Sequence, residues 1–216
     1  MKIALLGAES TGKTRLAAEL AAHLCSHGRR AVAVPETLRE WCTRQGREPR
    51  PEEQLPIARE HESRVDDAAA RAAIVVADTT ALMVATYSGM AFEDSELFRF
   101  AQERQRGYDL TLLCGLDLPW VPDGLHRIGP EVRDAVDAQI RDALERARIS
   151  YRMVYGSGEE RLRNALVAID SASPEDRAQA SARRWIGSCD KCSDPDCEHR
   201  LFTGLSAPPA AGRPAK

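Results

Sequence analysis

Residues 7–14 read Gly-Ala-Glu-Ser-Thr-Gly-Lys-Thr, which is G-x-x-x-x-G-K-T. Glycines at this spacing let the backbone turn tightly, so that the N–H groups of residues 8–14 can wrap the terminal phosphates of a nucleotide. The candidate nucleotide-binding residues are therefore Gly7, Ala8, Glu9, Ser10, Thr11, Gly12, Lys13 and Thr14. Lys13 would neutralise charge on a phosphoryl group in transfer, and the Thr14 hydroxyl would bind Mg²⁺. The motif follows an apolar run and opens a helical pattern, the context that separates it from a chance match in an ordinary turn. It implies that a nucleotide is held and leaves open what becomes of its terminal phosphate.

Three further places carry residue types suited to that question. Asp78 closes the apolar run "AAIVVAD", where a carboxylate can hold Mg²⁺ directly or through water. It could equally cap a helix beginning at Thr79-Thr80. Glu36, Arg39 and Glu40 follow "AVAVP". A carboxylate there could take a proton from an attacking hydroxyl, and an arginine one turn on could fix an anionic or hydroxyl-rich substrate. The plainer reading is a charged helix start, which the helix dipole favours. Finally "PWVPDGLHRIG" (119–129) carries Asp123, His126 and Arg127 in a Pro/Gly-punctuated loop. Such a loop could close over the phosphates and bring Arg127 to developing charge while excluding water. Otherwise it is a surface connection anchored by Trp120.

These positions acquire meaning from the elements that hold them. Apolar runs at 2–7, 31–36, 72–78, 108–115 and 150–156 read as strands. Helical spacing covers 13–27, 37–45, 52–71, 80–91, 94–106, 130–147 and 158–169. Strands alternating with helices predict an α/β fold with a mainly parallel, five-stranded sheet covered on both faces. Right-handed crossovers bring the carboxyl ends of parallel strands to one edge, where ligands bind. Gly7, Glu36, Asp78 and Gly115 all fall at such ends.

The 216 residues suffice for one sizeable domain, 1–170, with an appendage at 171–204 and a Pro/Ala-rich tail at 205–216 whose composition predicts disorder. A net charge of −3 provides no general field for nucleic acid, and no basic stripe with interleaved aromatics is present. No apolar run approaches the ~20 residues needed to span a bilayer. With no export signal ahead of the nucleotide loop, a cytoplasmic location is expected, and six cysteines there argue against a disulfide framework. Cys25, Cys42 and Cys114 are scattered and read as core or near-core residues. Cys189, Cys192, Cys197 and His199 form a C-x2-C-x4-C-x-H set that could close a tetrahedral structural Zn²⁺ site, the alternative being a cysteine-bearing flexible tail.

Taken together, "GAESTGKT", "PETLREW", "ADTTALMVATYSG" and "LDLPWVPDGLHRIG" resemble, in order and spacing, the nicotinamide riboside kinase domain of the bifunctional NadR-like NAD-biosynthesis proteins. The resemblance covers about residues 1–170. It implies a three-layer P-loop kinase fold that moves the γ-phosphate of ATP, with Mg²⁺, to the 5′-hydroxyl of a ribosyl-pyridine nucleoside. It also marks Glu36 and Arg39 as substrate-side residues, with Glu40 and Asp123 grouped beside them, and places Arg127 in a lid. The catalytic candidates are then Lys13, Glu36, Asp78 and Arg127, with Glu36 or Asp78 as base. The chain departs from the family in three ways. It leaves no room for the nucleotidylyltransferase domain that precedes the kinase in the bifunctional proteins. The family's "DTD" reads Asp78-Thr79-Thr80, so a second carboxylate is missing. The lid reads "DGLHR" rather than "DGLR", which leaves the register of Arg127 open by one position. The broader expectation is a kinase of a nucleoside-like small molecule. Its rival is a nucleotide-dependent regulatory protein whose Cys/His tail binds a partner.

Overall fold

A computed structural model of the chain describes residues 1–89, 95–121 and 130–171. Five strands, β1 (Lys2–Leu6), β2 (Ala31–Val34), β3 (Ile74–Asp78), β4 (Leu110–Cys114) and β5 (Arg152–Val154), alternate with seven helices. The helices are α1 (Lys13–Ser26), α2 (Thr37–Gln45), α3 (Pro51–Ala69), α4 (Ala81–Gly89), α5 (Ser95–Gln105), α6 (Pro130–Arg146) and α7 (Gly158–Asp170). The strands lie in the order β2-β3-β1-β4-β5, and every pairing is parallel.

Both sheet faces are covered, and β1 shows how a continuous apolar run serves them. Alternate side chains leave a strand on opposite faces. Ile3 and Leu5 accordingly pack with Leu16, Leu20 and Leu24 of α1 and with Ala165 and Ile169 of α7. Leu6 joins the opposite core, with Leu82 of α4, Leu97 of α5 and Ile140 and Leu144 of α6. Ala4 packs on that side with Val65 and Ala68 of α3.

The helix ends follow local chemistry. Pro51 opens α3, where its missing N–H is harmless, and Glu53 reaches back to the Arg50 N–H at 2.7 Å. Gly46 ends α2 in the left-handed conformation. Cys114 is buried and Cys42 half-buried, but Cys25 is exposed, so it is not the core or near-core residue expected.

Register carries this architecture to the site. Leu5 pairs with Asp78 and Val34 with Ala77, so the segments after β1, β2 and β3 leave the same edge side by side. Strand order reverses at β1, which is flanked by β3 and β4, and the loop after β1 opens into the resulting crevice. The expected appendage, with Cys189, Cys192, Cys197 and His199, and the lid residues Asp123, His126 and Arg127 lie outside the described residues. Among the described residues no three His, Cys, Asp or Glu side chains form a group suited to a metal ion. None of their helices is long and apolar enough to cross a membrane.

Candidate active site

The glycines of the 7–14 loop are required by space as well as by conformation. Gly7 has φ +147°, and a Cβ there would lie 2.9 Å from Thr11 Oγ1 and 3.1 Å from the Cys114 carbonyl oxygen. Gly12, at φ +76°, precedes α1, and a Cβ on it would come within 3.0 Å of Leu118 Cδ1. The loop bends around the Ala8 carbonyl, which accepts from Thr11 Oγ1 and from Lys13 Nζ, both at 2.7 Å. Leu16 N–H bonds to the Gly12 carbonyl at 2.9 Å. The N–H groups ahead of it form the helix end at which a phosphate is favoured. Lys13 is buried, and burial pushes its ammonium below the ordinary 10.5, while Glu36 first and Asp78 next push it back up.

Those two carboxylates act on Lys13 through their charge, from the ends of neighbouring strands. Asp78 is 1 % exposed, and neither oxygen has a hydrogen-bond partner. Burial raises its pKa above the ordinary 3.8. The nearby Thr14 hydroxyl draws it down without making a hydrogen bond of normal geometry, and Glu36 adds to the rise. A buried, unpartnered carboxylate beside a phosphate loop suits a divalent cation, since such an ion supplies the charge the pocket lacks. Glu36 takes the N-cap position of α2 but makes no capping bond with its side chain. Its Oε2 instead accepts from Arg39 Nε at 3.2 Å, and the side chain is 13 % exposed. At the N-terminus of α2 the carboxylate also meets the favourable end of the helix dipole, so the charged helix start and the substrate-side role can coexist.

The turn after Asp78 is strained. Thr79 has φ +68°, a left-handed conformation that costs a β-branched residue about 1–3 kcal/mol. It is held from several sides: Thr79 N–H bonds to the Leu5 carbonyl at 3.1 Å, and Ala81 N–H donates to Glu62 Oε1 at 3.0 Å. Thr80 turns inward, donating to Gln105 Oε1 at 2.6 Å and accepting from Leu82 N–H at 3.2 Å. Thr80, not Asp78, thus provides the hydroxyl cap of α4. Thr80 is 1 % exposed, so the position of the missing carboxylate faces the core.

A second group closes the far side of the loop. Arg161 of α7 donates to the carbonyls of Thr11 (2.8 Å), Gly115 (3.2 Å) and Gly156 (2.6 Å), and pairs with Asp117 Oδ1 at 3.1 Å. Asp117 Oδ2 accepts from Gly156 N–H at 2.6 Å. Arg133 Nη1 donates to the Leu118 carbonyl at 2.7 Å, while its buried Nε and Nη2 have no partner. Burial lowers the pKa of this guanidinium. Ser10 Oγ donates to the Val121 carbonyl (2.9 Å) and accepts from Val121 N–H (3.1 Å), fastening the loop to the segment that leads into 122–129.

Residues 2–161 match the AAA domain family. The chain belongs to that family. Within it, the fold of this AAA domain is shared with solved P-loop kinases. The NadR protein in complex with NR has a TM-score of 0.63 at 18% identity, over 79% of this chain and 51% of that one. NadR in complex with NAD and AMP-PNP has 0.57 at 17%, over 79% and 49%. Deoxyadenosine kinase from M. mycoides has 0.55 at 13%, over 79% and 100%. The chain thus spans about half the length of the NadR structures it matches. A comparison with curated proteins by sequence found no match.

The AAA domain brings together the loop 7–14, Glu36, Arg39 and Asp78, as the strand ends suggested. It does not bring Glu40 to them: that carboxylate pairs with Arg64 of α3 on the exposed side of α2. Sequence reasoning missed Arg161, Asp117, Arg133 and His61. Asp117 had the one legible signal, its place two residues past Gly115 at the end of β4.

Proposed function

We propose that this AAA domain is an ATP- and divalent-metal-dependent kinase acting on the hydroxyl of a nucleoside-like small molecule, with nicotinamide riboside the first candidate. The observation that carries the reading is the pair of carboxylates at neighbouring strand ends, Asp78 with no hydrogen-bond partner and Glu36 paired with Arg39, both acting on Lys13. A nucleotide switch has no need of the second. The NadR and deoxyadenosine kinase likenesses support the substrate class.

The two carboxylates divide the work that the sequence left open between them. Asp78, with Thr14, would hold Mg²⁺, which when bound offsets phosphate charge. Glu36, more accessible and unburdened by capping, takes the proton of the acceptor hydroxyl. The hydroxyl oxygen forms its bond to the γ-phosphorus as the bond from phosphorus to the ADP oxygen breaks, and ADP leaves. Lys13 and the N–H groups of the loop hold the charge that gathers on the transferring group. Arg39, paired with Glu36, orients the acceptor. Arg127 and Asp123 of the 122–129 segment complete the proposal as lid and substrate-side residues.

The test is ATP turnover with Mg²⁺ against a panel of nucleosides, with Lys13→Ala and Glu36→Gln in parallel. Phosphate on the ribose, lost in both variants, is the expected result. Tight ATP binding with no acceptor used would overturn it and favour a nucleotide-dependent regulatory protein.

A further inference from the structure

His61 of α3 is 2 % exposed and sits beneath the site, contributing nothing to the loop itself. Its Nε2 lies 3.1 Å from the Thr79 carbonyl oxygen and its Nδ1 3.0 Å from the Thr37 hydroxyl. A carbonyl can only accept, so Nε2 carries the proton, and in the neutral ring Nδ1 accepts from Thr37. Thr37 and Thr79 are themselves buried, at 2 % and 4 % exposure.

Each partner is the chain neighbour of a site carboxylate. Thr37 follows Glu36, and Thr79 follows Asp78. The Thr79 link is the strained one, with φ +68° immediately after the buried aspartate. The bonds from Thr79 N–H to Leu5 and from Ala81 N–H to Glu62 hold that turn but do not reach α2. His61 does both. One imidazole, rigid and satisfied at each end, spans the start of α2 and the end of β3.

We propose that His61 is a positioning residue that fixes Glu36 and Asp78 relative to one another, so that the acceptor hydroxyl and the γ-phosphate arrive in register. This rests on the kinase reading. It assigns His61 no contact with substrate. The facing charges, Glu62 from α3, Glu36 before α2 and Asp78 from β3, all favour the imidazolium, yet burial outweighs them and lowers the ring's pKa. A neutral ring suits the role because its two nitrogens then differ, one donor and one acceptor, and each partner can be met in only one way.

The experiment uses the full chain and three variants: His61→Leu, His61→Gln and Thr37→Val. In His61→Leu, kcat should fall about 100-fold, the order expected when reacting groups are misplaced by an ångström, with the KM for ATP unchanged at saturating Mg²⁺. His61→Gln keeps one donor and one acceptor at similar reach and should recover most of that loss. Thr37→Val breaks one link with little change of volume, and a fall in kcat is expected there too, so the test stands even if His61→Leu does not fold. Ring ¹⁵N shifts near neutral pH should show the Nε2–H tautomer, and Mn²⁺ binding with AMP-PNP, followed by electron paramagnetic resonance, should weaken in His61→Leu. The proposal is overturned by an Nδ1–H ring, by equal losses in the Leu and Gln variants, or by parental kcat in a folded His61→Leu. If the parent chain phosphorylates no acceptor, the kinase reading fails by itself. The tautomer and Mn²⁺ measurements then decide the positioning role, and unchanged Mn²⁺ binding in His61→Leu sinks it.

Discussion

Arg161 Nη2 and the Thr11 carbonyl oxygen meet at 2.8 Å across 150 positions of sequence. Through this bond α7 supports the nucleotide loop from behind. The same guanidinium, 4 % exposed, answers two more carbonyls and the Asp117 carboxylate. Arg161→Met keeps the stem and removes every donor. Breaking a buried pair in this way should lower stability by about 3–5 kcal/mol, read as a reduced urea midpoint at unchanged slope.

Asp78 sets function against stability. Its oxygens are buried and unpartnered, so the ionised group burdens the metal-free chain. Asp78→Asn should stabilise that chain by about 1–2 kcal/mol while turnover falls by about 10²-fold or more. Calorimetry without divalent ion, set beside a kinetic assay with it, checks both signs. A variant that lost activity and stability together would remove Asp78 from the metal role.

His61 predicts an acid limb in the stability profile. Burial lowers its folded pKa below the ordinary 6.5, so between the two values the unfolded chain binds the extra proton. The stability it supports is complete above the unfolded value and is lost as pH falls toward the folded one. Thermal midpoints of the parent and His61→Gln should therefore converge as pH drops from neutral into that window. Curves that stay parallel would show that the ring does not titrate differently on unfolding.

Thr80 stands where the resemblance to the NadR-like kinases implied a second carboxylate, and it caps α4 and bonds Gln105. Thr80→Val should cost about 0.5–2 kcal/mol, the range for a lost hydroxyl cap. The Mg²⁺ concentration at half-maximal rate should not move. A shifted metal dependence would instead return this position to the metal site.

Much of this was legible in advance, for identifiable reasons. The central strands β1 and β3 are near-continuous apolar runs because both faces of the sheet are covered there, and "IALL" and "IVVAD" declare themselves. The loop and Asp78 were legible because the chain segment alone fixes their place at a strand end. His61 was not, since it lies on a helix whose exposed face is rich in charge and its meaning comes from Thr37 and Thr79. Arg161 was hidden among the arginines at 161 and 163, whose sequence does not reveal which turns inward. Glu40 misled for the opposite reason. One helical turn beyond Glu36 it looks equivalent, but it lies a turn farther from the strand end and pairs there with Arg64 of α3.

The support of the loop by α7 also has a direction in time. The Thr11 carbonyl leaves the ribosome 150 residues ahead of the Arg161 side chain that supports it. Domains generally fold as units during synthesis. Until α7 emerges, the carbonyls of Thr11 and Gly115 lack the donor that Arg161 gives them in the folded domain. The bracing of the loop by α7 is thus among the last contacts this domain can make, although the bonds within the loop are among the most local it has.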